Sequence, residues 1–226
     1  MSDALKKKIE KVRERITRAA LRSGKDPSEI ILVAVAKYAN VELLERAVEF
    51  GLTDVGENRA DQLVEKHRVL GDRVRWHFVG HLQSNKVKKV IGIAEYIHSL
   101  DRMSTAWEIR KRAGKLGRTQ KVLIEVNVAQ EETKIGIAPG ELYSFCQEIV
   151  QVPHLDICGL MTLAPLVEDP EEVRGVFRDL RQMRDDLAAR GIFPNFSHLS
   201  MGMTNDFEVA IEEGATMVRV GSAIFC

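Results

Sequence analysis

Short β-branched runs alternate with longer helical patterns along almost the whole of this 226-residue chain, and that alternation limits its possible folds more than any other feature. Strands are expected at about 31–37, 54–58, 75–80, 95–100, 121–128, 156–163, 196–201 and 217–221. Helical patterns occupy about 40–51, 59–70, 82–92, 102–116, 139–151, 170–190 and 204–214. Gly51, Gly71, Gly92, Gly117, Gly191 and Gly214 stand where those helices must stop, a place glycine favours because the closing residue is left-handed. Eight strands with seven intervening helices suit an α/β chain closed into a single (β/α)8 TIM barrel. An open doubly wound sheet is the rival, but it would carry phosphate-binding glycines after its first strand. Here the first strand runs into Lys37-Tyr38-Ala39-Asn40. No Pro/Gly/Ser-rich linker divides the chain, so residues 1–226 are expected to form one domain.

An extra helix is expected at the amino terminus, where Leu5, Ile9, Val12, Ile16 and Ala19 recur at helical spacing among many charges. That stretch is no secretory signal, and no apolar run approaches the roughly 20 residues of a membrane span. The 33 basic and 33 acidic residues balance, so charge suggests neither a nucleic-acid nor a membrane partner. The basic clusters Lys86-Val87-Lys88-Lys89 and Arg110-Lys111-Arg112 fall on helical patterns and read as solvated faces. Three cysteines, Cys146, Cys158 and Cys226, show neither metal-ligand spacing nor a disulfide framework, which suits a reducing cytoplasm.

The residues able to do chemistry collect at strand carboxyl ends, where a barrel builds its site. Lys37 closes the run Ile31-Leu32-Val33-Ala34-Val35-Ala36. A lysine desolvated there becomes a nucleophilic amine able to condense with an aldehyde; a lysine whose ammonium snorkels to water does not. Glu57 and Asn58 end strand two, and His77 lies in strand three, followed by His81. Strand seven ends in Ser200-Met201-Gly202-Met203-Thr204, and strand eight runs through Arg219 to Gly221-Ser222. Loops after the last two strands are where many barrels hold phosphate on backbone N–H groups, so these two are read together as a phosphate cradle. A helix-capping turn explains the first of them alone equally well. Arg219, in an otherwise apolar strand, needs an acceptor: either a barrel carboxylate, with Glu57 the candidate, or an atom of a ligand. His77 and His198 each read either as core histidines or as pocket residues.

These stretches bear a family likeness. The runs Leu32–Lys37, Val55–Asn58, Trp76–Lys86, Gly159–Met161, Leu199–Asp206 and Val218–Gly221 occur in order, and through them the chain resembles the pyridoxal phosphate homeostasis proteins over essentially its whole length. The resemblance implies an alanine-racemase-type barrel that binds pyridoxal 5′-phosphate as a Schiff base on Lys37. It implies that Ser200, Met201, Gly202, Gly221 and Ser222 hold the phosphate, that Arg219 faces the pyridine nitrogen, and that Asn58 and His77 line the pocket. No metal is implied. Two departures stand out: Ala36 replaces a serine usual before the lysine, and relatives usually continue beyond Cys226 with a glycine and a short basic tail.

Racemases of this barrel type draw a second base, a tyrosine, from a further domain, and no such domain is expected here. Tyr38, Tyr96 and Tyr143 lie in no matching context. Without an opposed acid–base pair, two-face proton transfer is not expected. The expectation is therefore a non-enzymatic carrier or regulator of cytoplasmic pyridoxal phosphate, with PLP-dependent apoenzymes as possible recipients. A low-activity amino-acid racemase and a Schiff-base aldolase are the alternatives.

Overall fold

In a computed structural model the described residues are 2–131 and 134–226. The long helix α1 (Ser2–Arg22) comes first, then β1 (Ile31–Val35), α2 (Val41–Glu49), β2 (Asp54–Glu57), α3 (Ala60–Leu70) and β3 (Arg75–Phe78). The second quarter holds α4 (Val87–Val90), β4 (Tyr96–Leu100), α5 (Met103–Lys115) and β5 (Gln120–Glu125). After these come α6 (Leu142–Ile149), β6 (Leu155–Met161), α7 (Arg174–Ala189), β7 (His198–Ser200), α8 (Phe207–Glu212), β8 (Met217–Val220) and α9 (Ser222–Phe225). All eight strands are parallel and pair in chain order, and β8 returns to β1, so the sheet closes as a barrel.

Side chains alternate along each strand, one set facing the helices and the other the barrel axis. The outer set is apolar. Ala34, Val55, Trp76, Phe78, Ile97, Val122, Leu199 and Val218 are buried with helical Leu44, Leu63, Ile109, Phe177 and Phe207 in one continuous core. Helix α1 adds Leu5, Ile9, Val12 and Ile16 by packing on α8 and α9, each such side chain contributing about 1.5–3 kcal/mol. The axial set is different. Asp54, His77, His98, Glu125, Ser200 and Arg219 are all buried there, in a space such barrels usually fill with Val, Ile and Leu.

Four expected helices come out shorter than their periodicity suggests, among them the 170–190 pattern, which opens as a 3-10 turn, Pro170–Val173, before α7. The stretch expected at 82–92 is a single 3-10 turn, Ser84–Lys86, followed by α4. The chain before it is pressed against the end of β2: a Cβ on Gly80 would stand 2.2 Å from the Asn58 carbonyl oxygen. The 139–151 pattern likewise opens as a 3-10 turn, Pro139–Glu141, before α6. Helix α8 starts at Phe207 rather than near 204, because Asp206 Oδ1 accepts the Met203 N–H at 2.5 Å and closes a turn there. The one-turn α9 was not expected. Strand β7 is also short, yet Met201 still donates to Met217 and Arg219 to the Gly202 carbonyl, carrying the pairing past its end.

Candidate functional site

A cavity of about 630 Å³ opens at the carboxyl ends of the strands. Lys37 and Tyr38 reach it from β1, Asn58 from β2, Val79 from β3, and Lys134 from beyond β5. Residues 163–167 supply an apolar wall after β6, while Met203–Asp206, Arg219, Gly221 and Ser222 close the β7–β8 side. The cavity therefore has cations at opposite depths and apolar faces between them.

Lys37 is held by its backbone. Ala36 donates to Gly56 and accepts from Ala39, and Asn40 caps α2 by accepting the Leu43 N–H at 2.9 Å. From α3, Lys66 donates to the Ala36 carbonyl and to Glu57 Oε1, both at 2.6 Å. Glu57 is thus the buried partner of Lys66, not of Arg219: it sits on the outward face of β2, where side-chain alternation aims it at the helices. The second oxygen, Oε2, is buried with no partner among the described residues. The side chain of Lys37 is exposed, its Nζ 4.8 Å above the Tyr38 ring, so the burial expected of it is absent. Proximity to a confined pocket, rather than desolvation, distinguishes this amine.

On the opposite side the β7 and β8 loops meet where Ser222 Oγ lies 3.1 Å from Thr204 Oγ1. The N–H groups of Thr204, Asn205, Ser222 and Ala223 donate to no acceptor among the described residues. These two adjoining loops carry two hydroxyls and four amides without an acceptor, a donor set suited to an anion with several oxygens. Gly221 is needed for closeness: a Cβ would sit 3.0 Å from the Val35 carbonyl oxygen. Ser200, Met201 and Gly202 are not on this wall. They are buried behind it, and Gly202, at φ +89°, lets α8 pack so tightly that a Cβ would approach Ala210 Cβ to 2.6 Å. Of the residues expected to hold phosphate after β7, the cavity lining includes none, and Thr204 and Asn205, one turn further on, line it instead.

Arg219 lines the cavity floor and is only 4% exposed. Its Nη1 donates to Ser200 Oγ at 2.5 Å and its Nη2 to the Thr162 carbonyl at 2.8 Å. A guanidinium has five N–H groups, so donors remain for a ligand. Burial lowers its pKa to about 10, against the charges of Glu125 and Asp206, so it is a cation at neutral pH. Burial likewise raises Asp206, and it raises Glu125 to about 7 despite the nearby arginine. His77 is fully buried on the axis between Asp54 and His98, away from the cavity wall. His198 lies at the other end of the barrel, against Thr216 and Tyr96. Neither histidine lines the pocket. No metal-binding cluster occurs among the described residues, and no helix there is long and apolar enough to cross a membrane.

The alanine racemase N-terminal domain family matches residues 2–226. The pyridoxal phosphate homeostasis protein of Aquifex aeolicus is 45% identical over 219 residues, covering 96% of each chain. The chain belongs to the pyridoxal phosphate homeostasis proteins. Among solved structures, an unknown protein from Bifidobacterium adolescentis is 34% identical with a TM-score of 0.94, covering 99% of this chain and 95% of that one. PipY of Synechococcus elongatus, solved with pyridoxal phosphate bound, is 32% identical with a TM-score of 0.82 over 95% of this chain and all of its own. Members of this family name a ligand with an aldehyde, an aromatic ring and a phosphate. The cavity offers an amine for the first, apolar walls at Val35, Val79 and Leu163 for the second, and the β7–β8 amides for the third.

Proposed function

We propose that this chain binds pyridoxal 5′-phosphate covalently through Lys37 and serves as its carrier or regulator, releasing it to apoenzymes inside the cell. One observation carries the reading: Lys37, Arg219 and the Thr204–Ser222 loops share one cavity. The bound group supplies an aldehyde that condenses reversibly with amines. Lys37 provides the amine, and its exposure leaves that bond open to exchange with amines from solution. The loop amides and the Ser222 hydroxyl hold the phosphate. Asn58 would line the space for the ring, and Arg219 would offer the ring nitrogen charged donors without giving up a proton.

Little or no turnover accompanies this binding. Of the other proton-bearing side chains at the cavity, Lys134 is paired with Glu131 at 2.6 Å and Tyr38 lies beneath Lys37 on the same side. The carboxyl at the cavity, Asp206, is engaged by the Met203 N–H, so among the described amine, phenol and carboxyl groups there none stands unengaged opposite Lys37, which disfavours the racemase reading. Free, buried Cys146 and Cys158, each pushed up to about 12 by burial, suit a reducing compartment.

The test is borohydride reduction of the purified protein with pyridoxal phosphate, followed by peptide mass spectrometry. The adduct is expected on Lys37 and lost in Lys37→Ala, with weak non-covalent binding retained. An adduct mainly on Lys134 refutes the assignment, and rapid racemisation of alanine by the wild type refutes the carrier.

A further inference from the structure

One polar line crosses the barrel, and the partners at its two ends assign the hydrogens along it. At the amino-terminal end, burial alone would raise the Asp54 carboxyl, but bonds from His77, Arg75 and Thr53 hold it at about 2. Arg75 donates to both its oxygens at 2.8 Å, so Asp54 is an ion that only accepts. His77 must therefore carry a proton on Nε2, 2.9 Å from Asp54 Oδ1. Both imidazoles of the line are fully buried, which favours their neutral forms. A neutral His77 protonated at Nε2 accepts at Nδ1, so the donor 2.9 Å away is His98 Nε2–H. His98 then accepts at Nδ1 from the Ser200 hydroxyl at 2.8 Å, and Ser200 oxygen accepts from Arg219. Every bond points the same way, from the cavity floor to Asp54.

We propose that Asp54, His77, His98 and Ser200 form a positioning relay that fixes the face Arg219 presents to the ligand. With Nη1 tied to the relay and Nη2 to Thr162, the guanidinium plane is set and its spare N–H groups are left for the cavity. An apolar axis would fill the same space with no polar group to satisfy, and a chain of this kind holds only when every member is present. Its far end is accessible: Arg75 is exposed beside a second cleft of about 430 Å³, so the relay joins the cavity to the opposite face of the barrel. The ligand part of this inference rests on the pyridoxal phosphate reading above; the relay itself is readable on the ligand-free chain.

Asp54→Asn is the test, because it keeps the shape and removes the charge. An amide can turn its NH2 toward His77, which reverses the line: both imidazoles then carry the proton on Nδ1, and Ser200 receives two donors. Nitrogen-15 NMR of the histidine-labelled, ligand-free wild type is expected to show His77 and His98 neutral and protonated at Nε2. In Asp54→Asn both are expected to switch to Nδ1, the Arg219 Nε–H resonance to move, and pyridoxal phosphate affinity to fall roughly three- to tenfold. Affinity for inorganic phosphate is expected to stay constant, since the loops are untouched. Charged imidazoles or Nδ1–H tautomers in the wild type overturn the relay. So does a tautomer switch that moves neither the Arg219 signal nor the affinity. If Asp54→Asn does not fold, His98→Asn tests the link nearer the cavity, since its shorter side chain faces Ser200 but cannot span to His77. The same shift and loss are expected, and an unchanged Arg219 signal and affinity overturn the relay.

Discussion

Glu125 makes the energetics of this interior measurable. Its carboxyl is 4% exposed at the end of β5, and burial outweighs the attraction of Arg219, raising it from the ordinary 4.5 to about 7. A group with a raised folded pKa holds its proton longer in the folded state, so stability is full below about 4.5 and is lost as pH rises through about 7. The loss amounts to about 3 kcal/mol by pH 8. Wild-type stability alone does not isolate it. His77 and His98, lowered by burial, act with the opposite sign and add stability as pH rises over the same acid range. The difference between wild type and Glu125→Gln cancels the histidines and leaves the carboxyl. In urea unfolding at pH 5 and pH 8, the variant is expected to gain about 2.5 kcal/mol on the wild type between the two, since part of the loss has already occurred at pH 5. A difference that does not change with pH refutes the reasoning. A wild type that gains on the variant as pH rises means that Arg219 wins over desolvation and Glu125 is a buried ion.

Three further outcomes follow from contacts at the site. Lys66→Met leaves the buried Glu57 carboxyl without its partner and is expected to lose about 3–5 kcal/mol in chemical denaturation, most of it recovered by adding Glu57→Leu. Gly202→Ala forces a side chain at φ +89° into Ala210 and Phe207 and is expected to cost at least about 2 kcal/mol, read as a lower Tm; an unchanged Tm means α8 can move aside. Ser222→Ala is expected to weaken pyridoxal phosphate binding by about 1–2 kcal/mol in an absorbance titration while leaving pyridoxal unaffected, and an equal loss for both would move the phosphate away from β8.

Much of this protein follows from local pattern. Periodicity of two against 3.6 separates strands from helices, and closing glycines time them, so the barrel and the strand-end placement of Lys37, Asn58, Arg219, Gly221 and Ser222 were legible in the chain. Whether a strand-end side chain faces the cavity or the helices was not, because one residue of register reverses it. Glu57 and Asn58 are neighbours in sequence, yet one meets Lys66 outside the barrel and the other the cavity. The start of α8 depended on the turn that Asp206 closes with Met203, which no periodicity marks. The polar axis lay furthest from view. His98 and Ser200 touch across 102 residues of sequence, and only barrel closure sets β4 and β7 at the spacing that lets an imidazole span them. Local sequence chose the elements and their chemistry; the closed sheet chose which of those groups meet, because contact across a barrel is fixed by register and diameter, not by any one strand.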